Sequence, residues 1–146
     1  MVKIFNCVIC GCRDFQDYDL LEEKCLFFLK NKLPDICIIS GGCSGADRLA
    51  EIFAKKHNLQ IKVINADWEK YGRSAGPKRN EEMVKLANGV IAFWDYKSRG
   101  TKSTINLCKK YNVNCKIVNI GGLENEWKQR KNTSLSEQRF KGKSKK

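Results

Sequence analysis

Residues 36–54 read Ile36-Cys37-Ile38-Ile39-Ser40-Gly41-Gly42-Cys43-Ser44-Gly45-Ala46-Asp47-Arg48-Leu49-Ala50-Glu51-Ile52-Phe53-Ala54. A short apolar run without alternation is the pattern of a strand covered on both faces. Three glycines, at 41, 42 and 45, then interrupt it, and Ala46, Leu49, Ala50, Phe53 and Ala54 follow at helical spacing. The segment therefore reads as strand, glycine turn and helix. Such a turn lets backbone approach a ligand closely and opens a helix N-terminus, whose free N–H groups and positive end suit a phosphate or another anion. A tight strand–helix turn holding no ligand has the same pattern, and a single turn does not separate the two. Ser44 with Asp47 three residues on resembles a capping box, and Asn58 just past His57 marks the helix stop.

Outward from this unit the same grammar repeats. Apolar runs at Lys3–Cys10, Ile61–Asn65, Gly89–Phe93 and Cys115–Ile120 read as four more strands. Helical stripes lie between them: Leu21, Cys25, Phe28 and Leu29; Met83, Leu86 and Ala87; Ile105, Cys108 and Tyr111. Alternating strands and helices predict an α/β fold, a Rossmann-like three-layer sandwich on a mostly parallel five-stranded sheet. One domain over residues 1–120 is expected, followed by a basic, flexible tail over 121–146.

Composition narrows the class of protein. The chain has 146 residues, 42% hydrophobic, and a formal charge of +12. Eight basic residues and one acid in 128–146 account for +7 of that, so residues 1–127 carry only +5. No apolar run approaches the roughly 18 residues of a membrane span. The opening MVKIFNCVICG reads as a strand rather than a signal peptide, so a cytoplasmic protein without membrane contact is expected. Most of the eight cysteines fit small buried hydrophobes in a reducing compartment. Cys7, Cys10 and Cys12 do not form a zinc site by spacing, since residues three apart on a strand point to opposite faces and the single histidine is His57. No metal or cofactor is expected.

Polar and glycine-rich clusters fall at the carboxyl ends of four successive strands, where open α/β sheets bind ligands. They are Gly11-Cys12-Arg13-Asp14; Ser40 to Asp47 with Gly41, Gly42 and Gly45; Ala66-Asp67-Trp68 with a loop to Gly76-Pro77-Lys78-Arg79-Asn80; and Trp94-Asp95 followed by Ser98-Arg99-Gly100-Thr101. In the last, Thr101 is expected to cap a helix and Gly100 to bend its entry. The two turns with Arg13 and Arg79 suit a diphosphate or a phosphosugar. Neither is a P-loop, and the dinucleotide fingerprint is absent at the first turn. Trp68 and Trp94, each beside an aspartate, read either as platforms for a base or as roofs of the sheet edge. His57 reads as structural.

At these residues the chain resembles the SLOG superfamily, in particular its YspA/YpsA-related group. The resemblance runs through Gly11-x-Arg13-x-Phe15-x-Asp17-Tyr18, Ser40-Gly41-Gly42-x-x-Gly45-Ala46-Asp47, Ala66-Asp67-Trp68, Ala75-Gly76-Pro77-x-Arg79-Asn80-x-x-Met83 and Phe93-Trp94-Asp95-x-x-Ser98-x-Gly100-Thr101. It spans about residues 2–120 and implies a Rossmann-like domain that binds nucleotides or nucleotide-derived small molecules. More distant relatives are the cytokinin-activating phosphoribohydrolases and the DNA-processing protein DprA. Superfamily members often pair, which keeps a homo-oligomer among the expected assemblies. The phosphoribohydrolases carry P-G-G-x-G-T-x-x-E in the fourth-strand turn, whereas this chain has Tyr96, Lys97 and Ser98 for P-G-G and Thr104 in place of the glutamate. The carboxylate is missing there, and Asp47, Asp67 and Asp95 are the candidates to replace it as acid or base.

Three functions follow in order of preference. The first is a sensor or sequestering module for a nucleotide-derived ligand, held through Arg13, the 40–47 turn, Arg79 and the 98–101 turn. The second is a hydrolase of nucleotides or N-glycosides. The third is DprA-like nucleic-acid binding, in which the basic tail would add weak, salt-sensitive contact to a polyanion.

Overall fold

The computed structural model describes residues 3–121. The basic segment 128–146 and Trp127 lie outside the described residues, as does the rest of the expected tail beyond Gly121. Five strands, β1 (Phe5–Gly11), β2 (Ile36–Ser40), β3 (Gln60–Val63), β4 (Gly89–Trp94) and β5 (Cys115–Asn119), form one sheet in the order β3-β2-β1-β4-β5. Every pairing is parallel, with Val8 opposite Ile39 on one side and Val90 on the other. The fold is the expected Rossmann-like α/β sandwich, and the sheet is parallel throughout.

Alternation along the strands sorts side chains into two cores. Cys7, Ile9, Ile38, Ile91, Phe93 and Val118 point to the face covered by helices α1 (Tyr18–Leu29) and α2 (Ala46–Lys56). Val8, Cys10, Ile39, Val90 and Ala92 point to the opposite face. Of the three remaining α-helices among the described residues, α3 (Trp68–Tyr71) is a single turn, while α4 (Ala75–Leu86) and α5 (Arg99–Tyr111) cover that second face. Cys7 and Cys10 thus sit on opposite sides of β1, as their spacing requires. Phe15 stacks on Phe93 with ring centroids 5.4 Å apart, both buried. Burying one such side chain stabilises the fold by roughly 1.5–3 kcal/mol.

Local details depart from the sequence reading at four places. Ser44 does not cap α2: the N-cap is Gly45 at φ 75°, and the Ser44 hydroxyl donates instead to the Arg13 carbonyl at 3.1 Å. Thr101 does not cap α5 either, because the helix begins two residues earlier and Ser98 is its N-cap, with Oγ accepting from the Thr101 amide at 3.4 Å. The expected loop at Gly76–Asn80 is helical. Pro77 falls in the first turn of α4, where its missing N–H has no partner to lose. The buried stripe of α4 is Arg79, Asn80, Met83 and Val84, while Leu86 is exposed and Ala87 is the C-cap. Asn58, at φ 57°, does follow the end of α2 as expected. Among the described residues no helix is long and apolar enough to cross a membrane.

Candidate functional site

The carboxyl ends of β1, β2 and β4 are joined through their backbones. A Cβ on Gly11 would collide with the Phe93 carbonyl oxygen, so only glycine lets β1 leave the sheet there against β4. The next amide, Cys12, donates to that same carbonyl at 3.2 Å, and the Cys12 carbonyl accepts from the Ala46 amide at 3.2 Å. Gly45 closes the arrangement: its φ of 75° and its contact with the Cys12 and Arg13 carbonyls both exclude a side chain.

Around this base the glycine turn after β2 spends its donors internally. Ser40 donates to the Glu51 carboxylate at 2.7 Å and accepts from the Gly42 amide at 3.1 Å. Asp47 Oδ2 accepts from the Cys43 amide at 3.2 Å. Arg79 is 8% exposed; it donates to the Gly41 carbonyl, to Asn80 Oδ1 at 3.0 Å and to Cys43 Sγ at 3.8 Å. Burial pushes the Asp47 carboxyl up to about 6, against the opposing pull of the Cys43 amide and the Arg79 guanidinium. Burial also pushes the Cys12 thiol up to about 12 and Cys10 well above its ordinary value, so both remain protonated at neutral pH.

The turn after β4 is organised differently. Asp95 Oδ1 accepts from the amides of Lys97 and Ser98, each at 2.8 Å. Burial alone would raise its pKa, but these amides and the Cys12 thiol hold it below the ordinary carboxylate value. The Trp94 indole donates to the Ser98 carbonyl at 3.0 Å, and Asn80 Nδ2 reaches the Gly100 carbonyl at 3.5 Å. At the mouth of α5, Ser98 caps the Thr101 amide. The first N–H groups of a helix have no intrahelical acceptor, which leaves the amides of Arg99 and Gly100 available to an acceptor from outside the helix. A Cβ at Gly100 would meet nothing within 4 Å.

A cavity of about 390 Å³ opens between these turns. That volume lies in the range of small-molecule sites. Of the expected site residues, Gly11, Arg13, Asp47, Arg79, Asn80, Asp95, Ser98, Gly100 and Thr101 line it. Ser40, Gly41, Gly42 and Gly45 lie behind its wall, shaping the turn from which Asp47 and Arg79 are held. Asp67 caps α3 by accepting from the Lys70 amide at 3.1 Å, while Trp68 is 52% exposed and packs near Gly76; none of these three lines the cavity. Cys10, Cys12, Asp14, Cys43, Met83 and Thr104 complete the lining; several of them stand in the clusters and blocks quoted above, but none of the six is assigned individually to a ligand from the sequence. The spacing held a signal for two of them, since Met83 is one turn beyond Arg79 and Thr104 one turn beyond Gly100 on their helices. His57 bonds Glu22 at 2.8 Å, far from the cleft along the chain, in the structural role expected.

Comparison with known proteins agrees with this architecture. Residues 5–71 match the family described as YspA, cpYpsA-related SLOG, and this stretch holds three of the five sequence blocks quoted above. The chain is 28% identical over 120 residues to the Gene 61 protein of Mycobacterium phage D29, covering 78% of this chain and 94% of the relative. Its fold is similar to that of DNA processing protein A from Helicobacter pylori, whose solved structure concerns a single-stranded DNA binding mode. That similarity has a TM-score of 0.58 at 21% identity, over 77% of this chain and 64% of the other, so the chain spans under two thirds of the solved relative.

Proposed function

We propose, from the match of residues 5–71 to the YspA-related SLOG family, that the cleft binds a nucleotide or a nucleotide-derived phosphosugar and acts as a sensor or sequestering module. The observation that carries the reading is the open N-terminus of α5 inside a cavity of about 390 Å³. Ser98, Gly100 and Thr101 offer backbone and hydroxyl donors to a phosphate, and the positive helix end adds attraction for an anion. Arg13, Arg79 and Asn80 line the same cavity, and Asp47 and Asp95 supply acceptors for ribose hydroxyls or a base amine. Gly11, Gly41, Gly42 and Gly45, with Ser40, shape the wall. Asp67, Trp68 and Gly76 stand outside the lining and bear only on a ligand that extends beyond the cavity.

Substituting Gly100→Glu tests the reading. The new side chain has room, and an acid in the first turn of a helix is favourable, so the unliganded melting temperature should hold or rise. Nucleoside phosphates should raise the melting temperature of the natural protein and be recovered intact, and the substitution should abolish that shift. An undiminished shift in the Gly100→Glu protein would overturn the reading.

One observation favours hydrolysis instead. Asp47 lines the cavity and, with its carboxyl raised to about 6, holds a proton further toward neutral pH than an ordinary aspartate, which suits a general acid better. Asp95, held low, is the poorer acid, and Asp67 caps α3 away from the lining. Release of free base from a nucleotide, lost in Asp47→Asn, would favour this reading over pure binding. For strand binding, the supporting features are the single-stranded DNA binding mode that the Helicobacter pylori structure concerns and the exposed Trp68 and Tyr71, the latter ring flanked by the ammonium groups of Lys70 and Lys78.

A further inference from the structure

We propose that Tyr96 is the stacking face for the planar base of the ligand in the cleft, an inference that rests on the nucleotide-binding reading above. Tyr96 has φ 66°, in the left-handed region that bulky residues avoid, and its side chain remains 53% exposed. Its aromatic ring contributes little to the core, and glycine or asparagine would suit that backbone better. Strained residues of this kind concentrate at ligand clamps, where the surroundings hold them in place.

The surroundings do hold it. Asp95 fixes the following amides, and the Trp94 indole ties back to the Ser98 carbonyl, so the turn carrying Tyr96 is closed on both sides. The Tyr96 ring lies 4.2 Å from that of Trp94 at an interplanar angle of 29°, which covers one face and fixes the plane. Its neighbours Asp95 and Ser98 both line the cavity. Tyr96 itself stands just outside the lining, but its Cα lies at most about 14 Å from that of Gly100, so a base at the ring and a phosphate at the start of α5 suit the length of one nucleotide. A base stacked on the outer face of Tyr96 and a phosphate at the mouth of α5 would together use the exposed face of that ring and the free helix end.

Calorimetric titration with AMP, GMP, CMP, UMP and ribose 5-phosphate tests this, on the natural protein, Tyr96→Gly and Tyr96→Phe. Glycine suits the backbone and removes only the ring; phenylalanine keeps the ring. At least one nucleotide should bind the natural protein and the Phe variant alike, and about tenfold or more weakly to Tyr96→Gly, with ribose 5-phosphate affinity and melting temperature preserved. Unchanged nucleotide affinity in Tyr96→Gly overturns the inference, as does an equal loss for ribose 5-phosphate. With an oligodeoxyadenylate titrated in parallel, a loss seen only for it, AMP binding being unchanged, also overturns the inference and assigns the ring to a strand. If the natural protein binds ribose 5-phosphate and no nucleotide more tightly, the inference fails and the cleft reading stands. If it binds none of the five, the cleft reading fails and the inference with it.

Discussion

Asp47 couples the cleft to stability. Its carboxyl, 6% exposed, has a folded-state pKa near 6 against an ordinary 3.8. Between those values the folded protein holds a proton that the unfolded chain has released. Stability therefore falls as pH rises through that window, by about 3 kcal/mol. Asp47→Asn should remove this dependence: little changed near pH 4, more stable than the natural protein by about 3 kcal/mol at pH 8, as urea unfolding at the two pH values would show. An unchanged pH profile would mean that Asp47 is solvated in a way its burial does not suggest. The residue thus costs stability at neutral pH, which is common for groups kept for a site rather than for a fold.

Among the helices, α1 and α2 meet through a polar cluster rather than by apolar contact alone. Glu22 on α1 accepts from Tyr18 at 3.3 Å and bonds His57 at 2.8 Å and Lys56 at 3.0 Å. Burial would raise its pKa, but His57 and Lys56 outweigh that and hold it below the ordinary value. Its contribution is present at neutral pH and lost as pH falls through the lowered folded value. Glu22→Gln should cost about 1 kcal/mol at pH 7 and progressively less in acid, measured by thermal unfolding across pH. The strands were legible in the sequence because burial on both faces leaves continuous runs such as Ile36–Ser40 and Gly89–Phe93. The start of α4 was not, because Gly76-Pro77 reads as a break until Pro77 is known to sit in a first turn. Ser44 does not cap α2 for a tertiary reason: its hydroxyl has a competing acceptor 31 residues away in the chain, at Arg13. No local pattern reports such a partner.

For the molecule as a whole, the candidate site was legible as a set of strand ends and not as a list of contacts. The rule that α/β sheets bind at their carboxyl edge brought Gly11, Arg13, Asp47, Arg79 and Ser98 together, although 87 residues separate the first from the last. It did not distinguish residues that face the cavity, such as Asp95, from those that build its wall, such as Ser40 and Gly41. That distinction depends on which donors are already spent, as Ser40 is on Glu51. The charge has a similar lesson. More than half of the formal +12 lies in residues 128–146, whereas Arg13 and Arg79, at the cavity, are few in number and specific in position.

The backbone contacts that join Cys12 to Phe93 and to Ala46 also have a dynamic consequence. Amides in loops beside a cleft usually exchange with solvent deuterium through small local openings. Here the Cys12 and Ala46 amides point into neighbouring main chain, and releasing either requires β1 to separate from β4 or from the start of α2. Both should exchange as slowly as amides within β1, by the global route, and deuteration of the two should respond to denaturant with the slope of full unfolding. Fast exchange at Cys12 with a protected β1 would show that the floor of the cleft breathes on its own. Slow exchange would mean that the pocket's base keeps its shape for as long as the sheet survives, with adjustment to a ligand left to the side chains above it.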